Sequence, residues 1–320
     1  MRIPFRLPTP GSKRFDVVGF GCNSIDLLAV VAEHPTPNSK QRLQRFARLA
    51  GGEIATAMAA CARLGLSARY VGSFGGDEFG VEARQSLTAV GVDVAAARVV
   101  AGVTNRFAVI LVDARSGDRT VLWDRDPALA WTPVDVSPSV VTSGRMLLVD
   151  CYDPAASAQA AKFAREAGVP TVIDVEMVRP GIADLLQNID AIITSEEFPT
   201  ALTGHEDLGR ALSTMGREFG AGIVTVTLGE KGSLSWCGGR EIRTPSFAVD
   251  CVDTTGAGDV FRGGFAAGCL RMSDVDGDIE DVLAYANATA ALNCRALGAR
   301  GALPDAGEVE RLLLSSPNRV

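Results

Sequence analysis

The chain of 320 residues has little histidine, with His34 and His205 the only two, so a histidine-rich metal centre is excluded. Aromatic residues make up only 6% and are not clustered into stacking platforms. No basic excess exists: the net charge is -7 and the pI about 5.0, which argues against a nucleic-acid surface. No apolar run approaches membrane-spanning length. The N-terminal stretch, with prolines where a signal peptide carries its apolar core, does not indicate secretion, and a soluble, cytoplasmic protein is expected. The cysteines at 22, 61, 151, 237, 251, 269 and 294 are odd in number and lack a C-x-x-C pair. They read as small buried hydrophobes, not a disulfide frame.

What is present is an α/β pattern. The hydrophobic share of 47% supports a large core. After a loose leader, residues 1–13, an apolar strand is expected over Phe15–Phe20, then a turn through Cys22–Asp26 and a second run to Ala32. Glu53–Leu64 and Glu78–Val90 read as helices, each stopped by a glycine. Arg106–Asp113 and Arg119–Asp124 read as a hairpin joined by Ala-Arg-Ser-Gly-Asp, a small sheet apart from the main one. From Met146 onward strands and helices alternate, which predicts a mostly parallel sheet covered on both faces. Ligands then bind beyond the strands' carboxyl ends, where Asp26, Asp150, Thr194 and Thr227 are expected.

The most informative string is Asp253-Thr-Thr-Gly-Ala-Gly-Asp259, followed by a helix-like apolar run. Small residues at a helix N-terminus let backbone N–H groups face an anion, and a carboxylate beside them can take a proton from an attacking hydroxyl. A glycine-rich turn with a capping aspartate would use the same residues.

Five patches in order resemble the ribokinase-like (PfkB) carbohydrate kinases: Gly21–Asp26, Gly51–Thr56, Val71–Gly80, Thr227–Gly232 and Asp253–Phe265. Gly117-Asp118-Arg119-Thr120 and Ile173-Asp174-Val175-Glu176 are most similar to ketohexokinase, sulfofructose kinase and fructokinase-like members. The resemblance implies a ribokinase-like three-layer α/β/α domain over 14–312, with a small β-sheet lid from segments near 24–50 and 103–125. It implies ATP-dependent transfer of the γ-phosphate to a primary hydroxyl of a ketose or furanose, with a nucleoside kinase as the alternative and an inactive sugar or nucleotide sensor more remote. By the same resemblance Asp259 is the catalytic base, and Gly256, Ala257 and Gly258 form the anion hole. Asp26, Gly51, Gly52, Thr56 and Tyr152 face the sugar; Thr194, Thr227, Gly229, Gly232 and Asn287 face the nucleotide. Glu197 corresponds to the residue linked to Mg²⁺ through water, and Asp253 to a monovalent-cation (K⁺) site. Thr194 and Thr56 stand where the family usually has asparagine. A sulfonate would want cations such as Lys40 or Arg125, and Tyr152 in place of an arginine argues against a sulfosugar. The implied partners are small molecules and a second copy joined through the lid.

Overall fold

The computed structural model describes residues 1–115, 119–273 and 277–315. Strands β1 (Phe15–Phe20), β4 (Ala68–Val71), β9 (Gly144–Val149), β10 (Thr171–Val175), β11 (Ala191–Thr194) and β12 (Ile223–Thr227) run parallel. Two antiparallel strands, β13 (Ser233–Cys237) and β14 (Arg240–Thr244), extend one edge, giving the order β14-β13-β12-β11-β10-β9-β1-β4.

Alternation along each strand fills two cores. Val17, Met146 and Leu148 face one side with Phe261 and Phe265; Val18, Leu147 and Val149 face the other with Ala160 and Leu212. A strand places successive side chains on opposite faces, so continuous apolar runs bury both. The first face is covered by α1 (Glu53–Arg63), α8 (Ala257–Ser273) and α9 (Ile279–Asn293), with α10 (Ala306–Ser315) packed outside α9. The other carries α3 (Pro138–Val141), α4 (Pro154–Glu166), α5 (Ile182–Leu186), α6 (Glu197–Thr203) and α7 (Leu208–Phe219). Helix α2 (Glu78–Thr88) lies beside a two-stranded sheet of β5 (Ser73–Gly75) and β6 (Arg98–Val100).

A separate four-stranded sheet has the order β3-β2-β7-β8, built from β2 (Ser24–Val31), β3 (Arg45–Gly51), β7 (Phe107–Asp113) and β8 (Arg119–Asp124). Its β8 reaches the signature loop, where Arg119 Nη1 donates to Thr254 Oγ1 at 2.9 Å. Ser116, Gly117 and Asp118 of the expected hairpin turn lie outside the described residues.

Two expectations need correction. Asp26 is not at the end of the first strand: the turn is only Gly21–Asn23, and Asp26 is the third residue of β2, paired with Leu49 and Ala108. Ladder bonds to two neighbouring strands outweigh the local turn preference of Asn and Asp. The leader is docked, not loose. Ile3, Phe5 and Leu7 pack on the core, Ile279 N–H donates to the Met1 carbonyl at 2.7 Å, and Arg145 Nε donates to the Pro8 carbonyl at 2.8 Å. Its apolar side chains, interleaved with prolines, gain more from burial than they lose in chain freedom.

Candidate active site

Helix α8 begins at Ala257, and Gly256 makes the corner before it. Its φ is +72°, and a Cβ there would fall 2.7 Å from Ala299 Cα, so the corner requires glycine. Of the three N–H groups expected to meet an anion, that of Ala257 donates to the Thr254 carbonyl at 3.1 Å. Among the described residues, the N–H groups of Gly256, Gly258 and Asp259 have no backbone acceptor at this helix end.

Asp259 sits in the first turn of α8, only 13% exposed. Burial lifts its pKa to about 6; Arg262 opposes that shift, and the negative charge of Glu176 reinforces it. Arg262, one turn on, faces Asp259 with Nη1 3.6 Å from Oδ1, and its Nη2 pairs with Asp174 just before the end of β10. Arg262 and Asp174 are 4% and 1% exposed, so this is a buried pair beside Asp259. Burial also drives Asp174 well above the usual carboxylate range.

The nucleotide-side residues converge. A cleft of ≈ 780 Å³ is lined by Thr227, Gly229, Gly232 and Asn287 and reaches Ala257 and Gly258. Asn287 Nδ2 on α9 donates to Ser233 Oγ at 3.0 Å, which fixes the amide at the cleft wall. Phe247 and Val249 add apolar surface. Thr194 does not join them: it is fully buried, its hydroxyl donates to the Ser195 carbonyl at 2.5 Å, and it accepts from Thr227 through its own carbonyl at 3.4 Å. Glu197 is the exposed first residue of α6.

Asp26 is 8% exposed and accepts from Ser24 Oγ at 2.9 Å. Burial raises its pKa, against the Ser24 hydrogen bond and the charges of Arg106 and Arg300. Gly51 ends β3 directly against it: a Cβ at Gly51 would lie 2.1 Å from Asp26 Oδ2. Gly52 caps α1. Thr56 is buried in α1, and its hydroxyl accepts from Arg300 Nε at 3.1 Å; Arg300 Nη2 donates to the Gly51 carbonyl at 2.7 Å. Thr56 therefore anchors the arginine behind the glycine pair. Tyr152 follows β9, and its hydroxyl accepts from Arg106 Nη2 at 2.7 Å. Asp253 ties its loop together, accepting from Thr255 N–H at 2.9 Å and Gly298 N–H at 2.7 Å.

Glu53, Asp174, Arg106, Arg262 and Arg300 are residues of this region to which sequence reasoning assigned no role, while Asp150 was expected only as a strand-end residue near the ligand. A signal existed for Arg262, three residues after Asp259 and so on the same helix face. None existed for Arg300, which meets the Gly51 carbonyl across 249 positions of chain. Cys22, Glu53 and Asp150 bring their ligand atoms within 4.8 Å of one another. Burial pushes all three toward their neutral forms, as suits hydrogen-bonding groups more than metal ligands.

A buried carboxylate in the first turn of a helix, next to a large cleft and within the field of Asp26, suits phosphoryl transfer. The family description "pfkB family carbohydrate kinase" matches residues 14–306. The chain belongs to that family. Among curated relatives, the ATP-dependent ribose-1-phosphate kinase of Halopiger xanaduensis is 31% identical over 304 residues, covering 93% of this chain and 97% of its own. The nucleoside kinase of Methanothermobacter thermautotrophicus is 26% identical over 300 residues, covering 92% and 94%. The solved Arabidopsis thaliana ribokinase complexed with ribose and ATP superposes with a TM-score of 0.82 at 27% identity, covering 94% of this chain and 99% of that one. The ribokinase-like α/β fold with its small extra sheet is thereby established, and the carbohydrate kinase is a phosphotransferase acting on a sugar hydroxyl. Among the described residues no helix is long and apolar enough to cross a membrane.

Proposed function

We propose that this kinase transfers the γ-phosphate of ATP to a primary hydroxyl of a ketose or furanose sugar. The observation that carries this reading is Asp259, a buried carboxylate whose pKa burial lifts to about 6, set in the first turn of α8 next to the cleft-lining Gly258 and within the field of Asp26. A base poised near neutrality can accept the hydroxyl proton as the oxygen attacks phosphorus. The N–H groups of Gly256 and Gly258, with the helix terminus behind them, stabilise charge on the transferring group. Asp26 accepts from sugar hydroxyls, and the Gly51–Gly52 backbone lets the ring approach closely. Thr227, Gly229, Gly232 and Asn287 hold the nucleotide. Glu197, an exposed hard-oxygen donor without an ion pair among the described residues, fits Mg²⁺ bound through water, where the ion would neutralise phosphate charge. The lid sheet, touching the signature loop through Arg119, keeps water from competing for the phosphoryl group. Phe46 (60% exposed) and Leu122 (58%) of the lid are the apolar surface on which a second copy would pair.

Asp26→Ala is expected to raise the sugar KM by roughly ten- to hundredfold, as for loss of hydrogen bonds to a charged group, and the ATP KM far less. Steady-state kinetics with each substrate varied checks this, and equal effects on both would remove Asp26 from the sugar site. Adding ATP with Mg²⁺, then an accepted sugar, should raise the melting temperature in two steps. No shift with any nucleotide would overturn the kinase reading for this cleft.

A nucleoside acceptor is the second reading. Trp123, 47% exposed on β8, stands edge-on to Tyr152 with ring centroids 6.2 Å apart, an aromatic surface on which a base could stack. Relative rates with fructose, ribose and adenosine separate the two.

A further inference from the structure

Two arginines near the site are held by carboxylates. Arg125 is paired twice with Asp153, at 2.9 and 2.6 Å, and Arg262 is held by Asp174 and Asp259. Arg106 and Arg179 are different. Their guanidinium carbons lie 4.4 and 5.1 Å from the centroid of one ring, that of Tyr152. Among the described residues, neither has a carboxylate within ion-pair distance. Arg106 donates to the Tyr152 hydroxyl and makes a long contact of 3.6 Å to Cys22 Sγ, while its Nε is buried without an acceptor. The Arg179 side chain makes no hydrogen bond among the described residues, and its Nε is likewise buried.

Three elements bring these groups together. Arg106 immediately precedes β7 of the lid, Tyr152 follows β9 and Arg179 follows β10, so all three stand where the lid meets the carboxyl ends of the main sheet. Trp123 of β8 adds a wall 5.6 Å from the Arg106 guanidinium. Glu53 and Asp150 lie in the field of Arg106, but their burial favours the neutral carboxyl and so weakens them as counter-ions. A partly buried guanidinium with unused donors is costly to keep, and two of them on one ring define a place for an incoming anion. The planar fork of guanidinium matches the oxygens of a phosphate or carboxylate.

We propose that Arg106 and Arg179 form an oxyanion subsite, so that the acceptor is a sugar already carrying a phosphate or carboxylate group away from the reacting hydroxyl. This rests on the kinase reading and names its acceptor class. In the reaction the acceptor oxygen bonds to the γ-phosphorus, the bond to the β–γ bridging oxygen breaks, ADP leaves and the hydroxyl proton passes to Asp259. The anionic group is unchanged and serves as the handle.

The test uses matched acceptors on the full chain: ribose against ribose 1-phosphate, fructose against fructose 1-phosphate, and gluconate-type sugar acids against their neutral parents. The anionic member of at least one pair should have kcat/KM higher by roughly ten- to hundredfold, the worth of hydrogen bonds to a charged group. The phosphate and carboxylate arms say which group the subsite takes. Arg106→Met and Arg179→Met should collapse that preference ratio, and Arg179→Lys should restore part of it. Neutral sugars used as well as, or better than, every anionic partner would overturn the subsite while leaving the kinase reading intact. Absence of turnover with all acceptors would fail the kinase reading instead. Calorimetry of each anionic acceptor and its neutral parent then decides the subsite: tighter binding of an anionic member, lost in Arg106→Met, supports it, and equal binding in every pair overturns it.

Discussion

Asp259→Asn is expected to lower kcat by roughly 10²- to 10⁴-fold, the usual contribution of a positioned general base. ATP affinity should change little, because Asp259 is not among the residues lining the cleft and Asn287 is fixed independently on α9. The same residue predicts the pH profile. Asp259 must be ionised to accept the hydroxyl proton, and burial raises its pKa to about 6. The ionised fraction therefore falls as pH is lowered, and kcat/KM should decline on the acid side with a midpoint near that value. A rate profile from about pH 5 to 8 in the wild type, set beside the asparagine variant, measures both effects. Near-normal turnover in Asp259→Asn, or an acid limb that persists unchanged in it, would remove Asp259 as the base.

The largest stability effect belongs to Arg262. Arg262→Met keeps most of the side-chain volume but leaves Asp174 and Asp259 buried without their cation. Breaking a buried pair by removing one partner costs roughly 3–5 kcal/mol. At about 2–4 °C per kcal/mol for a chain of this size class, the melting temperature should drop by roughly 10 °C. The sign of the pH dependence follows from the carboxyl groups. Loss of the cation raises their folded-state pKa values further above the unfolded ones, so the folded variant binds more protons than its unfolded chain. Its stability therefore falls as pH rises through that window, and the deficit should be larger at neutral pH than at mildly acid pH. Adding Asp174→Asn to Arg262→Met should recover part of the loss by removing one uncompensated charge. Thermal and urea unfolding of the three proteins checks this, and an unchanged midpoint in the single variant would show the pair to be energetically silent.

These two residues also mark how far linear reading carries. Asp259 was identifiable because everything that defines it is local: small residues, a carboxylate and an apolar helix within a few positions. The alternation of β1, β9, β10, β11 and β12 with helices was legible for the same reason, since strand and helix periodicities are short-range properties. The antiparallel edge of β13 and β14 was missed, although its Ser-Leu-Ser-Trp-Cys alternation was visible. The turn assigned through Asp26 was overrun by its pairing with β3, the next strand, and β7, a strand much farther along the chain. Thr194 and Thr56 were placed on the right elements, but their hydroxyl groups turn to Ser195 and Arg300.

By itself, then, the sequence determined the α/β alternation, the five motif patches and the carboxylate at the helix terminus, because each is encoded within one turn or one strand. Tertiary structure decided which distant charges meet: Arg262 with Asp174, Arg300 with the Gly51 carbonyl and Thr56, and Arg106 with Arg179 across Tyr152. Side-chain charge interactions act over a few ångströms in space whatever the separation in sequence, so only the packed sheet, helices and lid could bring those groups together and set the acceptor pocket.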